Sequence, residues 1–562
     1  MPWEYPQTET EIVAIHAALL ATSAEGDVLY FGDWADVTGT SAGPTHCRIY
    51  HMASPPKVEV FADGDRPSTN AFCAGQAFMA GGLLLVAGGT VRRPVTTDPH
   101  VHDALGHWDG EHACWVYRPD LKRWLRVADL NFQPGSTTKG GGRWYPILVA
   151  LGDGQVFAAG GHPSNTDDYF PANGGADQRH NNNTPERYSP TTGTWTLITS
   201  ALSALNGEVT DAYPRFRLLP NGLLFTTTEG VGAKRMFDPV AGQWTGPDVN
   251  TTSLPADYRR GSAVTSVLLP LLPPNYGARV LATNSAHTTS FLIDVDVATP
   301  SWQAAPSRQG SAAGKRREDA CAVLLPTGQV LVTGGTIPGM PAIPVNEPEL
   351  YTPDIDWNTG LFTGSGSWVT INEPSMIARP YHSVALLLPD GRVWTAGGTQ
   401  SWSGLAVAEK RVALFSPWYA GMARPAIVHL VRKRPKGRVR KEGFDYGETF
   451  KLKVAGNIGR VALMRCGSVT HGYDSDQRYV GLVFNQQGDT LTATAPPNGS
   501  IAPPGYYMLW IIDVAGVPSE RAWFVHVPTL RRLVKRPKPP RRPKPPKRPR
   551  PPKKPKSHRT NT

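Results

Sequence analysis

Short apolar runs, each broken by a glycine turn, recur along most of the chain. The repeated phrase is an apolar run, a turn ending in Gly, a second apolar run and a glycine pair, complete at residues 151–161 (LGDGQVFAAGG), 325–335 (LPTGQVLVTGG) and 388–398 (LPDGRVWTAGG). Partial copies lie at residues 83–89 (LLLVAGG) and 219–227 (LPNGLLFTT). Because Asp-Gly, Asn-Gly and Thr-Gly suit the positive φ of tight turns, and Val, Leu and Phe suit buried strands, each copy predicts a β-hairpin.

A second pattern follows several of these hairpins: an aromatic residue, a short turn and a Trp. It occurs at residues 117–124 (YRPDLKRW), 188–195 (YSPTTGTW) and 237–244 (FDPVAGQW), and it predicts outer strands. The combination resembles the kelch repeat, whose nominal period is about 50 residues. The predicted blades cover residues 12–62, 70–130, 140–200, 211–250, 261–305, 317–370 and 378–418. We therefore expect an N-terminal extension over residues 1–11 and a seven-bladed kelch-type β-propeller over residues 12–423.

Beyond Pro425 the repeat stops, and short alternating segments continue, among them FKLKV, VALMR, YVGLVF, LTATAP, YYMLWIIDV and AWFVHV. About a hundred residues of this pattern predict one immunoglobulin-like β-sandwich, over residues 424–528. The 57 glycines and 53 prolines agree with an all-β fold class, because both residue types disfavour helix interiors. No apolar run approaches the roughly 18 residues that a membrane helix needs.

The net charge of +11 comes from one segment of the chain. Arg531 to Arg559 hold 15 Lys and Arg and no acid, so the rest of the chain carries 42 basic against 46 acidic residues. Residues 529–562 combine proline with like charges and predict a disordered Lys/Arg/Pro-rich tail. Its partner would be a polyanion, such as an envelope polymer, anionic lipid or nucleic acid, or it is a solubility extension. The second basic cluster, residues 432–441, favours an exposed loop over an anion site.

Five cysteines are too few and too scattered for a disulfide scaffold. Cys47, Cys114, Cys321 and Cys466 are predicted to be buried thiols, with a Cys47–Cys114 bridge as the alternative in an oxidising compartment. The first residues, MPWEYPQTETEIVAIHAALLATSAEGD, lack the basic start, apolar stretch and cleavage site of a signal peptide, and therefore predict none.

Four short strings hold the candidate chemistry: residues 72–75 (FCAG), 143–146 (RWYP), 379–383 (RPYHS) and 469–471 (VTH). Three of them directly precede repeat hairpins, where an innermost propeller strand would begin beside the axis, and the fourth lies in the sandwich. Their histidines are too far apart in sequence for a zinc motif. Two imidazoles with phenols suit copper, but the same residues are also typical of a hydrogen-bonded core.

The order of these strings, together with ARPYHSVALLLPDGRV, VTHGYDSDQR and PPGYYMLW, resembles the copper radical oxidases, the galactose oxidase and glyoxal oxidase family, over residues 10–528. The resemblance implies one copper ion bound by Tyr145, Tyr381, His382 and His471. It also implies a thioether between Cys73 and Tyr145, which makes Tyr145 a protein-derived radical cofactor.

The implied reaction oxidises a primary alcohol, or an aldehyde as its hydrate, with O2 and releases H2O2. In this scheme Tyr381 accepts the proton of the substrate hydroxyl, and the Tyr145 radical takes a hydrogen atom from the substrate carbon. The RWYP string is nearer to glyoxal oxidase than to galactose oxidase. Small aldehydes or simple alcohols are therefore the expected substrates.

The sequence departs from galactose oxidase at one position near the radical. A stacking Trp follows the corresponding hairpin in that enzyme, whereas this chain has His162-Pro163. Trp144, Tyr169 and Phe170 are the candidates for shielding the radical instead.

Several alternatives stay open. The main rival function is a non-catalytic propeller that binds a protein or a glycan and uses the tail as an anchor. Residues 180–188 (HNNNTPERY) would either rim the pocket or form a solvated loop. Residues 316–319 (RRED) would form either a structural ion pair or a substrate contact. The family is typically secreted, so the localisation is undecided, and we expect a monomer.

Overall fold

The computed structural model describes residues 2–33, 43–92, 109–132, 134–137, 141–163, 182, 184–201, 213–227, 236–250, 265–283, 288–308, 317–337, 343–399, 408–431 and 443–528. Within these ranges helix is limited to short 3-10 turns, at Asp63–Asp65, Ala80–Gly82, Thr199–Ala201 and Trp418–Gly421. The predicted all-β fold class is therefore confirmed. No helix in these ranges is long and apolar enough to cross a membrane. The basic tail and the cluster at residues 432–441 lie outside the described residues.

The first half of the chain forms antiparallel sheets from consecutive strands. In chain order the strands are β1 (Trp3–Glu4), β2 (His16–Leu20), β3 (Asp27–Phe31), β4 (Cys47–His51), β5 (Lys57–Val60), β6 (Gly75–Phe78), β7 (Leu84–Ala87), β8 (Thr90–Arg92), β9 (Asp109–Gly110), β10 (Cys114–Arg118), β11 (Arg123–Arg126), β12 (Ile147–Ala150), β13 (Val156–Ala159), β14 (Glu186–Ser189), β15 (Thr194–Leu197), β16 (Phe216–Leu218), β17 (Leu224–Thr226), β18 (Met236–Asp238) and β19 (Gln243–Thr245).

The same arrangement continues up to residue 415. The strands are β20 (Thr265–Leu268), β21 (Arg279–Thr283), β22 (Thr289–Asp294), β23 (Gln303–Ser307), β24 (Cys321–Leu324), β25 (Val330–Thr333), β26 (Thr336–Ile337), β27 (Ile343–Pro344), β28 (Glu349–Thr352), β29 (Ile355–Asp356), β30 (Leu361–Phe362), β31 (Ser367–Thr370), β32 (Ser383–Leu387), β33 (Val393–Gly397) and β34 (Ala413–Phe415).

These strands build a succession of larger sheets in the described part of the chain. Their orders are β2-β3-β4-β5, β6-β7-β10-β11, β12-β13-β14-β15, β16-β17-β18-β19, β20-β21-β22-β23, β24-β25-β28-β31 and β32-β33-β34-β1. The first residues of the chain thus close the last sheet, since Trp3 pairs with Phe415 in register and their rings lie 5.0 Å apart. The N-terminal extension therefore contains a strand of the repeat region.

In three sheets a buried arginine precedes the first strand. Its hydrogen bonds account for part of the sequence repeat. Each guanidinium donates to the carbonyl of the first glycine of its glycine pair: Arg143 to Gly160 at 2.7 Å, Arg317 to Gly334 at 2.9 Å and Arg379 to Gly397 at 2.9 Å. In two sheets the same guanidinium also binds a buried carboxylate on the third strand, Glu186 or Glu349. The arginine thereby ties the turn before the first strand to the inner hairpin and the third strand.

The C-terminal residues form two four-stranded antiparallel sheets, with the orders β35-β36-β42-β41 and β40-β37-β43-β44. The strands are β35 (Ala426–Val431), β36 (Thr449–Ala455), β37 (Ile458–Arg465), β38 (Ser468–Thr470), β39 (Tyr473–Asp474), β40 (Tyr479–Gly481), β41 (Phe484–Gln487), β42 (Thr490–Thr494), β43 (Gly505–Asp513) and β44 (Trp523–Val527). Leu452, Leu463 and Leu509 belong to their buried core, which continues into Phe225 and Val280 of the repeat sheets. The sandwich and the repeat region therefore share one apolar interface.

The hairpin β38-β39 leaves the sandwich and joins the first repeat sheet. Strand β38 pairs antiparallel with β2, with His16 opposite Thr470, and the sheet order becomes β39-β38-β2-β3-β4-β5. This insertion places His471, in the turn of the hairpin, next to the first strands of the repeat sheets.

Candidate metal centre

Residues with a left-handed backbone stand immediately before the first strands of five repeat sheets. They are Cys73 (φ 60°), Tyr145 (φ 65°), Tyr213 (φ 49°), Asp319 (φ 60°) and His382 (φ 64°). Positive φ is uncommon for non-glycine residues, and strained backbone tends to occur at functional sites. We call these five residues the inner ring. His471, at φ 50°, has the same backbone conformation in the inserted hairpin.

Backbone hydrogen bonds connect three members of the inner ring in chain order. The Tyr145 amide donates to the Cys73 carbonyl at 2.9 Å, and the Tyr213 amide donates to the Tyr145 carbonyl at 2.7 Å. Successive sheets are therefore joined where their first strands begin, and the side chains of these residues are held close together.

The side chains of the predicted site residues meet in one buried cluster. Ligand atoms of Cys73, His382 and His471 all lie within 4.8 Å of one another. The Tyr145 and Tyr381 hydroxyls form a hydrogen bond with each other, and the Tyr145 ring lies 4.8 Å from the His471 ring. All five side chains are buried. Residues separated by up to 398 positions in the sequence are thus brought together.

Both imidazoles are oriented by threonine hydroxyls. Thr399 Oγ1 lies 2.7 Å from His382 Nδ1, and Thr470 Oγ1 lies 2.6 Å from His471 Nδ1. The Thr470 hydroxyl donates to the Ile15 carbonyl at 3.0 Å, so it accepts the Nδ1–H of His471. This leaves His471 Nε2 as the lone-pair nitrogen, 3.5 Å from Cys73 Sγ. A fixed tautomer with Nε2 towards the cluster is what a metal-binding histidine requires.

The protonation states of the cluster follow from its burial. Burial lowers the pKa of His382 and of His471 well below the usual value, so both imidazoles are neutral. Burial also raises the pKa of the Tyr145 and Tyr381 phenols and of the Cys73 thiol, and their mutual proximity adds to the effect on Tyr145. In the absence of a cation both phenols therefore keep their protons. A bound cation would favour phenolate, because metal ligands bind in their deprotonated form.

Two aromatic rings stack on Tyr145. The Trp144 ring lies 3.9 Å from it at an interplanar angle of 11°, and the Tyr213 ring lies 4.5 Å from it at 27°. Two rings this close and this parallel would overlap on one face, so they cover opposite faces. Of the three candidates for shielding, Trp144 thus makes the contact, whereas Tyr169 and Phe170 lie outside the described residues. The sequence patterns do not predict the contact with Tyr213.

Polar contacts hold the β38-β39 hairpin in the centre of the repeat region. Arg215 donates to the His471 carbonyl at 3.2 Å, and its guanidinium lies 4.5 Å from the centre of the Tyr473 ring. The Tyr473 hydroxyl donates to the Phe216 carbonyl at 2.7 Å. The following residues contact two further sheets, because Asp476 accepts from the Phe78 amide and Gln477 contacts the backbone of Ala322 and Leu324. The polar residues of the VTHGYDSDQR string therefore serve to dock the hairpin.

The structure decides several alternatives left open by the sequence. Arg317 is fully buried against Glu349 and is a structural ion pair, whereas Asp319 belongs to the inner ring; Arg316 lies outside the described residues. Cys47 and Cys114 are buried and unbridged.

The segment at residues 180–188 is expected from its sequence to rim the pocket or to form a solvated loop. Its described residues, 182 and 184–188, do neither. Asn182 is buried and donates to the Gly142 carbonyl, the Thr184 carbonyl accepts from Arg143, and Glu186 pairs with the same arginine. These residues satisfy a buried arginine instead of rimming a pocket or facing solvent. His180, Asn181 and Asn183 lie outside the described residues.

The sequence strings located five residues of the cluster but missed Tyr213 and Thr399, and they named Asp319 only within the RRED string, which fits either an ion pair or a substrate contact. Tyr213 and Asp319 have a usable signal, because each stands two or three positions before a first strand, as Cys73 and Tyr145 do. Thr399 follows the glycine pair of the last hairpin, and only the closed sheet shows that its hydroxyl reaches His382.

The donor set fits a copper ion. Two neutral imidazoles and two adjacent phenols supply nitrogen and oxygen ligands of the kind that copper accepts. His471 Nε2 faces the cluster, and the two phenol oxygens contact each other. A cation would relieve the cost of burying these polar atoms together.

Comparison with known proteins agrees with this geometry. Residues 433–527 match a family model described as galactose oxidase-like, Early set domain. The chain is 28% identical to the aldehyde oxidase GLOX of Vitis pseudoreticulata over 82% of each protein. It is 26% identical to the galactose oxidase of Gibberella zeae over 92% of this chain and 69% of that enzyme.

A solved structure extends the similarity to the fold. It is described as a novel fungal alcohol oxidase with catalytic diversity among the AA5 family, in complex with copper. It superposes with a TM-score of 0.66 over 94% of this chain and 98% of that one, at 20% identity, which shows a shared fold. By its C-terminal domain, its relatives and its buried cluster, the chain is similar to the galactose oxidase and glyoxal oxidase family of copper-dependent oxidases.

Proposed function

We propose that this chain is a copper radical oxidase that converts a small primary alcohol, or an aldehyde hydrate, to the carbonyl product with reduction of O2 to H2O2. The observation that carries the proposal is the buried cluster of Cys73, Tyr145, Tyr381, His382 and His471. The folding of the repeat sheets alone does not require these five side chains to converge. A propeller that only binds a partner would have no need for them.

The scaffold of this proposal is a seven-bladed propeller with residues 12–423 as its blades and the sandwich as a cap. Three features support it: the succession of antiparallel sheets, the inner ring at the start of their first strands, and the closure of the last sheet by β1. In such a fold the first strands surround a common axis, so that short strings far apart in sequence share one site.

In this proposal Tyr145, Tyr381, His382 and His471 hold the copper ion. Bound there, copper would supply one-electron redox chemistry and Lewis-acid binding of the substrate oxygen. The Cys73 sulfur is joined to the Tyr145 ring, a step in which the thiol and the ring each lose one hydrogen to O2. Sulfur substitution and stacking by Trp144 and Tyr213 then make the phenol easier to oxidise.

Two tyrosines of the chain act on different atoms of the substrate. The Tyr381 oxygen accepts the proton of the substrate hydroxyl, and the Tyr145 oxygen takes a hydrogen atom from the carbon that bears it. Because the two phenol oxygens are in hydrogen-bond contact, both acceptors reach one CH–OH group. The substrate loses two protons and two electrons in total, and O2 receives them as H2O2. The surrounding buried aromatic rings keep water away from the radical.

Small aldehydes and simple alcohols are the proposed substrates, ahead of galactose. The aldehyde oxidase relative aligns over more of its own length than the galactose oxidase relative does. The stacking residue also supports this choice, since Trp144 directly precedes Tyr145 in the RWYP string, whereas galactose oxidase places its Trp after the hairpin. His162 is buried at that position, and its backbone pairs with Trp144.

Mass spectrometry of the protein matured aerobically with copper tests the radical cofactor. We expect a tryptic peptide pair joined through Cys73 and Tyr145 with a mass two hydrogens below the sum of its parts. Cys73→Ala should abolish both the crosslink and H2O2 release with glyoxal or 1-propanol. Cys114→Ala, which removes a buried thiol of the sheet that Cys73 precedes, should keep both. A protein with stoichiometric copper and no crosslink would contradict the proposal.

A further inference from the structure

Asp319 is the one carboxylate of the inner ring in the described part of the chain. It has φ 60° and stands two residues before β24, the equivalent of Cys73 before β6 and Tyr145 before β12. The other members of the ring are each part of the metal cluster or in contact with it. By its place in the fold, Asp319 therefore belongs to the same site, although the reaction described above gives it no role.

The neighbours of Asp319 place it on the side of the cluster formed by Tyr381 and the inserted hairpin. The backbone of Asp319 and Ala320 packs against Gly472, the residue that follows His471, so closely that a Cβ on Gly472 would lie 2.6 Å from the Ala320 carbonyl oxygen. The Asp319 carboxyl also interacts electrostatically with Tyr381 and with Arg215. Asp319 is thus near enough to act electrostatically on the phenol to which we assign proton transfer.

Asp319 differs from the five cluster residues in its exposure. Tyr381 and His471 are buried, whereas Asp319 is only partly buried. Asp319 therefore keeps more contact with solvent than the five cluster residues do. The two neighbours in the same string are accounted for elsewhere, since Arg317 binds Glu349 and the Glu318 backbone pairs with Thr336.

We propose that Asp319 determines substrate specificity: its carboxylate accepts a hydrogen bond from a substrate hydroxyl that is not oxidised. That hydroxyl is the second one of an aldehyde hydrate, or the neighbouring one of a vicinal diol. A carboxylate has no proton to donate, so it selects hydroxyl-bearing substrates and disfavours those with a carboxylate of their own. This inference rests on the proposed oxidase function and deepens it.

The chemical reason for this selectivity is desolvation. A partly buried carboxylate that faces a substrate methyl group loses water without a replacement partner, whereas a hydroxyl restores the hydrogen bond. Burial and Glu318 raise the pKa of Asp319 to about 7, so the carboxyl is ionised in an assay at pH 8. Glycerol should therefore be preferred to 1-propanol, and glyoxal hydrate to glyoxylate.

The test compares Asp319→Asn and Asp319→Leu with Glu318→Gln in the copper-loaded full-length protein at pH 8. For Asp319→Leu we expect the ratio of kcat/KM for glycerol to that for 1-propanol to fall about 10- to 100-fold. For Asp319→Asn, which keeps a neutral acceptor, we expect a smaller fall of about 3- to 10-fold. The ratio of glyoxylate to glyoxal should rise in both variants, and Glu318→Gln should leave both ratios unchanged.

A binding measurement without turnover separates this inference from the oxidase proposal. Azide binding to the copper-loaded protein, followed by its optical charge-transfer band, should tighten several-fold in both Asp319 variants, because a negative charge near the site is removed. If the wild type binds copper but releases no H2O2 with any substrate, the oxidase proposal fails while the azide titration still tests the charge of Asp319. Unchanged azide affinity and unchanged substrate ratios in Asp319→Asn would overturn the inference. Asp319→Asn is decisive if Asp319→Leu does not fold.

Discussion

Each imidazole of the metal centre is held at one ring nitrogen by a threonine hydroxyl. Thr470 is anchored in turn to the Ile15 carbonyl of the neighbouring strand, so the orientation of His471 depends on the pairing of β38 with β2. A threonine at this position supplies an acceptor for Nδ1–H without a charge. The Nε2 lone pair is thereby available at any pH at which the imidazole is neutral.

Replacing this hydroxyl should weaken copper binding without disturbing the core. Thr470→Val has nearly the same shape but leaves His471 Nδ1–H without its acceptor, and we expect copper affinity to fall about 10- to 100-fold. Competition with a chelator measures the change. Thr470→Ser restores the hydroxyl and should recover most of the affinity. Equal affinities of the valine variant and the wild type would show that the hydroxyl has no role in orienting the ligand.

Among the elements, the hairpin β38-β39 carries the second domain's contribution to the site. It pairs with the first repeat sheet and contacts others through Tyr473, Asp476 and Gln477. Its turn is close-packed, because Gly472 has φ 71° and faces the Ala320 carbonyl. The close approach fixes His471 relative to Asp319 and Ala320.

A methyl group at this turn should therefore move the hairpin. Gly472→Ala adds strain from positive φ and a clash at 2.6 Å with the Ala320 oxygen. We expect a loss of unfolding free energy of about 2–4 kcal/mol, together with weaker copper binding. Gly488→Ala is the matched control, since Gly488 has φ 58° but no described atom lies within 4 Å of the place that its Cβ would take, and it should cost only about 1 kcal/mol. Equal losses in urea unfolding would mean that the close approach is unimportant.

Across the molecule as a whole, burial keeps several histidines in their neutral form. Burial lowers the pKa of His16 to about 3 and that of His526 to about 4, and it lowers those of His382 and His471 well below the usual value. Burial keeps His526 neutral although the contact of its Nδ1 with the Pro528 carbonyl raises the pKa, and its Nε2 accepts from the Gly81 amide.

The metal-free protein should accordingly lose stability in mild acid. These histidines take up protons on unfolding once the pH falls below about 6.5, so the stability present above that pH is lost progressively as the pH falls towards the folded-state pKa values. The expected slope is up to about 1.4 kcal/mol per pH unit for each histidine. Urea unfolding at pH 7.5, 6.5 and 5.5 measures this slope. His526→Gln removes one of the titrating groups and should reduce the slope by up to about 1.4 kcal/mol per pH unit. A flat profile over this range would contradict the assignment of neutral buried imidazoles.

Local sequence patterns predict much of the architecture, because the formation of a hairpin depends on residues that are close in sequence. Residues 383–398 fold as β32-β33 with its glycine turn because alternation and turn chemistry act within a few residues. The role of the buried arginines does not follow from such patterns. The Arg143 partners at Thr184 and Glu186 come from a later part of the chain, so the segment at residues 180–188 has the pattern of a surface insertion although it serves the interior.

The all-β class and the repeated hairpins can be read from the chain, since they depend on local spacing, and the resemblance of the four strings to the copper radical oxidases implies the five cluster residues. The contacts around these five residues cannot be read from the sequence. Trp144 and Tyr213 cover opposite faces of Tyr145, Thr399 orients His382, and Asp319 interacts electrostatically with Tyr381. Most of these contacts join residues from different sheets, and their distances depend on how the sheets pack around the inserted hairpin, which no local pattern encodes.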